Sequence, residues 1–159
     1  FQSRIEFLRR ADLTGVNVAL LGSWQRLEGL PEAEWVRHEP LDLGVDNADA
    51  VRWYQSTRAS VNLYRRESQR PELSAGWSMG PREVELAATG TFFLTEARGE
   101  NCEVLPFVPK VESPEAFGDQ LRWWLAHDDA RDQVAARARA AVADWTFANR
   151  ARQLLSTIF

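Results

Sequence analysis

The chain has 159 residues, 45% hydrophobic and 26% charged, with a formal net charge of −4 and a single cysteine, Cys102. That is enough for one domain with a sizeable core; it excludes two full catalytic domains, a disordered or collagen-like chain, an internal disulfide and a cysteine-rich zinc site. No apolar run approaches the roughly 20 residues of a bilayer span, no signal peptide is recognised, and the acidic balance argues against a duplex nucleic acid partner, so a cytoplasmic protein is expected.

Ser3 and Glu6 are spaced as a capping box, which predicts a helix from Arg4 to about Leu13 with Gly15 as its stop. Val16 to Leu21 is a dense apolar run that suits a central parallel strand covered on both faces. A short strand is expected around Glu34 to Arg37, closed by Pro40. Asp46-Asn47-Ala48-Asp49 opens a second helix, with a small polar cap and an acid in the positive first turn, ending near Thr57. Ala59 to Leu63 is a strand, followed by a polar segment from Tyr64 to Met79 whose length suggests function. Gly80-Pro81 starts a helix that Gly90 ends, and Thr91 to Thr95 is again a strand. After a loop at Gly99, Phe107-Val108 is expected as an edge strand. Ser113-Pro114-Glu115 then caps the first of three closing helices. Strands alternating with helices, then a helical tail, predict an α/β doubly wound domain with a parallel sheet, whose ligands bind at the carboxyl ends of the strands.

The most informative stretch runs from Gly76 to Gly90. A glycine-flanked approach to a helix start brings backbone amides and the positive helix end to an anion. Arg82 in the first turn opposes the dipole, which a bound phosphate would explain; Glu85, one turn in, is placed to accept bonds from sugar hydroxyls. The plainer reading is a capped surface helix with Arg82 solvated and Glu83 favouring the dipole. Asn62-Leu63-Tyr64-Arg65-Arg66 leaves the carboxyl end of a predicted strand, and either Arg65 or Arg66 suits a diphosphate or simply water; Arg4, at a helix start, carries the same two readings. His38 and His127 are far apart without a metal-pair spacing, and His127 is expected to cap a helix end. No Ser elbow, P-loop or dinucleotide glycine fingerprint occurs. Trp53, Trp124 and Trp145 fall on helical stripes and are explained by packing, whereas Trp77 lies in the loop before the candidate site.

Asp49 to Tyr54, Ala59-Ser60-Val61-Asn62-Leu63 and the run Gly80-Pro81-Arg82-Glu83-Val84-Glu85-Leu86-Ala87-Ala88-Thr89-Gly90-Thr91-Phe92-Phe93-Leu94-Thr95 resemble, in order and spacing, the C-terminal half of group 1 glycosyltransferases. The branch that includes the spore-maturation-type proteins shares a helix ending in tyrosine, a strand ending in Asn-Leu and an Arg-x-x-Glu-x-x-Ala-x-Gly helix. The tail from Ser113 through Asp128-Asp129 to Trp145-Thr146-Phe147 is similar to its closing helices, so the resemblance covers nearly the whole chain. It implies a GT-B fold, in which a Rossmann-like C-terminal domain holds a nucleotide-diphosphate sugar donor. The donor set it implies is Arg4, Asn62, Arg65, Ser78, Met79, Gly80, Pro81, Arg82 and Glu85, with Ser23, Trp24 and His38 near the base. In that set the Gly80 helix start meets the diphosphate, Glu85 the ribose, and Arg82 and Arg65 the charge that develops as the nucleotide leaves. No metal and no other cofactor is expected. The partners implied are the donor, an acceptor that is a protein, a glycan or a small molecule, and an N-terminal glycosyltransferase domain that carries the catalytic groups.

Two departures accompany the resemblance. Trp77 stands where many group 1 enzymes carry a glutamate near the transferred sugar, so retention or inversion of configuration stays open. Proteins of this fold run to roughly twice this length, and the chain opens on a helix. Residues 1–159 are therefore expected to be one nucleotide-sugar-binding domain without its first strand and its N-terminal partner, with residues 146–159 a helix packing toward that partner. The alternative is a non-catalytic interaction or nucleotide-binding module that keeps the fold.

Overall fold

The computed structural model describes residues 2–21, 36–39, 46–64 and 76–158. In chain order these form α1 (Gln2–Arg10), β1 (Val18–Leu21), β2 (Val36–Glu39), α2 (Asn47–Ser56), β3 (Ser60–Asn62), α3 (Pro81–Ala88), β4 (Phe93–Thr95), α4 (Gly99–Val104), α5 (Pro114–Ala126), α6 (Asp128–Ala141) and α7 (Phe147–Ile158). The architecture is mixed α/β, and both strand pairs are parallel: β1 lies beside β2 with Val18 opposite Val36, and β3 lies beside β4 with Asn62 opposite Thr95.

β4 organises the interior. Phe92 and Leu94 face one apolar cluster, with Leu13, Val16, Phe117 and Leu121, while Phe93 faces a second, with Tyr54, Leu86, Leu105 and Ala138. Period-two alternation in a strand thus feeds two cores, and helices cover both faces of the β3–β4 pair. Leu86, Leu94 and Leu105 are completely buried, each contributing about 1.5–3 kcal/mol relative to exposure.

Local chemistry sets most helix ends. The Asp46 carboxylate accepts from the Ala48 amide, and the Ser113 hydroxyl accepts from that of Ala116, with Pro114 following. Gly90, at φ 73°, takes the left-handed turn that stops α3. His127 closes α5 as expected: Nδ1 lies 2.6 Å from the Trp123 carbonyl oxygen, and its ring stacks on Trp123 at 4.1 Å.

Four local expectations are corrected. α1 begins at Gln2, so Ser3 lies inside the helix rather than at its cap position; Phe7 and Leu8 pack this helix on the Phe117 side of the core. In β1, Ala19 is exposed and Val18 and Leu20 are half-buried, so this strand is not covered on both faces. Gly99 starts α4 instead of a loop. Phe107-Val108 forms no strand. The chain pairs with β4 further on, through the Thr95–Lys110 bridge and the Val111 amide on the Thr95 carbonyl at 2.9 Å. The Lys110 ammonium donates to the carbonyls of Asn101, Leu105 and Val108, which holds the end of α4 over that edge.

α5 comes close enough to the turn after α1 to require glycine. A Cβ on Gly118 would lie 1.7 Å from the Asp12 carbonyl oxygen.

Candidate functional site

The carboxyl ends of β3 and β4 meet at Asn62 and Thr95, and the first turn of α3 lies against them. Asn62 Nδ2 donates to the Thr95 hydroxyl at 3.2 Å, and the Glu96 amide to the Asn62 carbonyl at 3.2 Å. The Thr95 hydroxyl donates in turn to Glu83 Oε1 at 2.8 Å.

Glu83, in the third position of α3, is completely buried. Its Oε1 also accepts from Asn101 Nδ2 at 2.8 Å, and its Oε2 from the Gly80 amide at 2.8 Å and from the Tyr64 hydroxyl. Four donors thus meet one carboxylate, which is what burying such a group requires. Burial, reinforced by Glu83, pushes the Tyr64 phenol well above its usual 10.0 and keeps it a donor. This hub joins β4, α3, α4 and the chain leaving β3.

The opposite side of the same turn is open. Arg82 and Glu85 are each about half exposed and lie 3.5 Å apart. The Arg82 guanidinium also donates to the Tyr54 hydroxyl and sits 5.3 Å from the Tyr54 ring centroid. Burial raises the pKa of Tyr54, the Arg82 charge opposes that, and Glu85 adds to it. A cation and a carboxylate therefore share an exposed surface at the positive end of a helix, beside the buried phenol of Tyr54.

The loop before α3 is strapped to α4. The Glu100 carboxylate accepts from the Met79 amide at 2.8 Å, and the Glu100 amide donates to the Trp77 carbonyl at 3.0 Å. The Arg98 guanidinium stacks 3.8 Å over the Tyr64 ring and reaches the Ser78 carbonyl at 3.5 Å. The amides of Met79 and Gly80 are thus both held by carboxylates of this chain.

The structure gathers Asn62, Ser78, Met79, Gly80, Pro81, Arg82 and Glu85 around one turn, with Asn62 buried and Ser78, Arg82 and Glu85 exposed. Arg4 lies half-buried on α1, the helix packed against α5. Arg65, Ser23 and Trp24 lie outside the described residues, as does the side chain of His38, whose backbone is in β2. Sequence reasoning passed over Glu83, Tyr64, Glu100 and Asn101 as parts of the site. The glutamate three residues after Gly80 is the one local signal for the hub, because that is the spacing from which a side chain reaches back to the N-cap amide. Among the described residues, no three His, Cys, Asp or Glu side chains are grouped to hold a metal ion, and no helix is long and apolar enough to cross a membrane.

The family model described as glycosyl transferase-like matches residues 4–156. The chain belongs to the glycosyl transferase-like family. The match spans β3, α3 and β4, so the turn described above lies within the part shared with the family. Transfer of a sugar from a donor to an acceptor is the general chemistry that membership in this glycosyl transferase-like family brings. No curated protein and no solved structure matches the chain.

Proposed function

We propose that this chain is the donor-binding, Rossmann-like C-terminal half of a GT-B glycosyltransferase of the spore-maturation-type branch, taking a nucleotide-diphosphate sugar at the start of α3. The observation that carries the reading is the convergence of the β3 and β4 carboxyl ends on a helix N-terminus with Arg82 and Glu85 on its open side. This is where parallel α/β sheets receive anionic ligands. Gly80 adds support. Its φ is −90°, and a Cβ there would meet nothing closer than Tyr64 at 3.7 Å. The backbone there is open enough for a ligand to approach closely.

In this reading the helix end and Arg82 stabilise negative charge as the diphosphate departs, and Glu85 accepts hydrogen bonds from the ribose. The pairing of Arg82 with Glu85 is a small obstacle. An exposed pair is worth about 0–1 kcal/mol, less than the ~1.5–3 kcal/mol of a hydrogen bond to a charged group. The acceptor and the catalytic base belong to a second domain facing this edge of the sheet, and no metal or other cofactor takes part.

Titration of UDP, GDP and ADP into the protein tests the assignment. Binding of at least one, weakened about tenfold or more by Glu85→Ala and by Arg82→Ala, is the expected result. Equal binding by wild type and both variants contradicts it.

The second reading, a non-catalytic module that keeps the fold, is favoured by one observation: the Met79 and Gly80 amides already carry the carboxylates of Glu100 and Glu83. A folded wild type that takes up none of the nucleotides supports that reading.

A further inference from the structure

Two carboxylates of this chain occupy amides at the start of α3, and they are held very differently. Glu83 Oε2 accepts from the Gly80 amide, but the same carboxylate also takes Tyr64, Thr95 and Asn101 and is completely buried. It cannot leave without stranding several donors. The Glu100 carboxylate is partly exposed, and among the described residues its one hydrogen bond comes from the Met79 amide at 2.8 Å. No cation among those residues pairs with it. Arg98, two residues before, turns instead to the Tyr64 ring and the Ser78 carbonyl.

The helix that carries Glu100 is anchored independently of that carboxylate. Asn101 ties α4 to Glu83 at 2.8 Å and to the Glu96 carbonyl at 2.9 Å, and the Glu100 amide holds the Trp77 carbonyl at 3.0 Å. Lys110 clamps the carbonyls of Asn101 and Leu105. Swinging the Glu100 side chain aside therefore breaks a single hydrogen bond and leaves these backbone anchors in place.

Two other features are committed or bare. In the cleft at the opposite ends of the strands, Arg58 and Arg131 share Asp128 and donate to the carbonyls of Leu125 and Trp124, so both of its cations are engaged. On α7, Phe147, Leu154 and Ile158 are exposed, and nothing in the structure specifies what covers them.

We propose that Glu100 is a built-in competitor of the ligand: its carboxylate holds the Met79 amide in the free protein, yields it to a phosphate of the incoming diphosphate, and reclaims it when the nucleotide leaves. This rests on the donor-site reading of α3. Carboxylate and phosphate oxygens are both anionic acceptors that seek the same N–H donor, so binding at this turn exchanges one anion for another. The exchange lowers affinity for the diphosphate and speeds its departure. Glu100 thus acts against Arg82 and Glu85, the residues that hold the nucleotide.

Calorimetric titration of wild type, Glu100→Ala, Glu100→Gln and Glu103→Gln with UDP, GDP and ADP tests this, with uridine, guanosine and adenosine as phosphate-free controls. Glu103 is exposed on the same helix, so Glu103→Gln removes an equal charge without touching the Met79 amide. For the diphosphate that binds, both Glu100 variants are expected to tighten binding about tenfold, the scale of one hydrogen bond to a charged group. Glu103→Gln should change it less than about twofold, and nucleoside binding should not move. Amide NMR of the free protein should show the Met79 resonance displaced by Glu100→Gln. Binding by a Glu100 variant where wild type shows none is the stronger form of the same result. Weaker binding, or loss of fold in both Glu100 variants, makes the carboxylate a strap of the loop and overturns the proposal. Equal tightening by Glu103→Gln overturns it as a general effect of charge, and so does a Met79 resonance that Glu100→Gln leaves in place. Unchanged affinity overturns it while the donor site stands. If neither wild type nor any variant binds a diphosphate, the donor-site reading falls, and this inference with it.

Discussion

Glu83 and Glu85 are two residues apart on one helix, yet their environments have almost nothing in common. Glu83 is completely buried, and its carboxylate accepts from Gly80, Tyr64, Thr95 and Asn101. Glu85 is about half exposed and faces Arg82 across 3.5 Å of partly solvated space. A helical step of 100° per residue turns one to the strand ends and the other to solvent. The contrast separates two jobs: Glu83 builds the turn, and Glu85 is available to a ligand.

Removing each carboxylate is the sharpest way to break that separation. Glu83→Ala leaves several buried donors without an acceptor and should cost about 3–5 kcal/mol of stability, read from urea midpoints. Glu85→Ala should stay within about 0.5 kcal/mol while weakening nucleotide binding. Comparable destabilisation by the two would erase the distinction.

Gly118→Ala extends the comparison to the other core. The added methyl collides with backbone at Asp12 rather than with a movable side chain, so about 2–3 kcal/mol of destabilisation is expected by thermal or urea melting. A smaller effect means that α5 is free to draw back from the turn after α1.

Asp46→Ala probes an exposed, local interaction. Its carboxylate caps α2 through the Ala48 amide at 2.9 Å, and about 1 kcal/mol should be lost.

The smallest expected effect concerns Asp128. The hydrogen bond from Arg131 and then that from Arg58 hold its pKa below the ordinary 3.8. Its contribution to stability is therefore complete above that value and disappears as the pH falls through the lower, folded one. The difference in Tm between wild type and Asp128→Asn should be small at about pH 5 and shrink toward zero as the pH falls below 3.8. A difference that grows on acidification has the wrong sign.

The same contrast explains what was legible in the sequence. Features written over a few neighbouring residues were visible: the Asp46 and Ser113 caps, Pro81 after Gly80, the Gly90 stop and the apolar runs of β3 and β4. Helix position and spacing also put Arg82 and Glu85 in the first turns of α3, whereas their mutual ion pair has no sequence signal. The buried hub was not, because its members come from Tyr64, Glu83, Thr95 and Asn101, and no local pattern announces their meeting. Asn101 was hidden further, since Gly99 suggests a loop where α4 begins. In the same way, Ser3 and Glu6 have the spacing of a capping box, but tertiary packing of α1 carries the helix past it.

The central claim is that the start of α3 receives the diphosphate, and backbone amide NMR during nucleotide titration tests it most directly. The account predicts that the largest shifts fall on Met79, Gly80, Arg82 and Glu83 at the carboxyl ends of β3 and β4. It is contradicted if those amides stay unmoved while shifts gather at the other end of the strands, in the cleft of about 260 Å³ lined by Arg58, Gly90, Thr91 and Arg131.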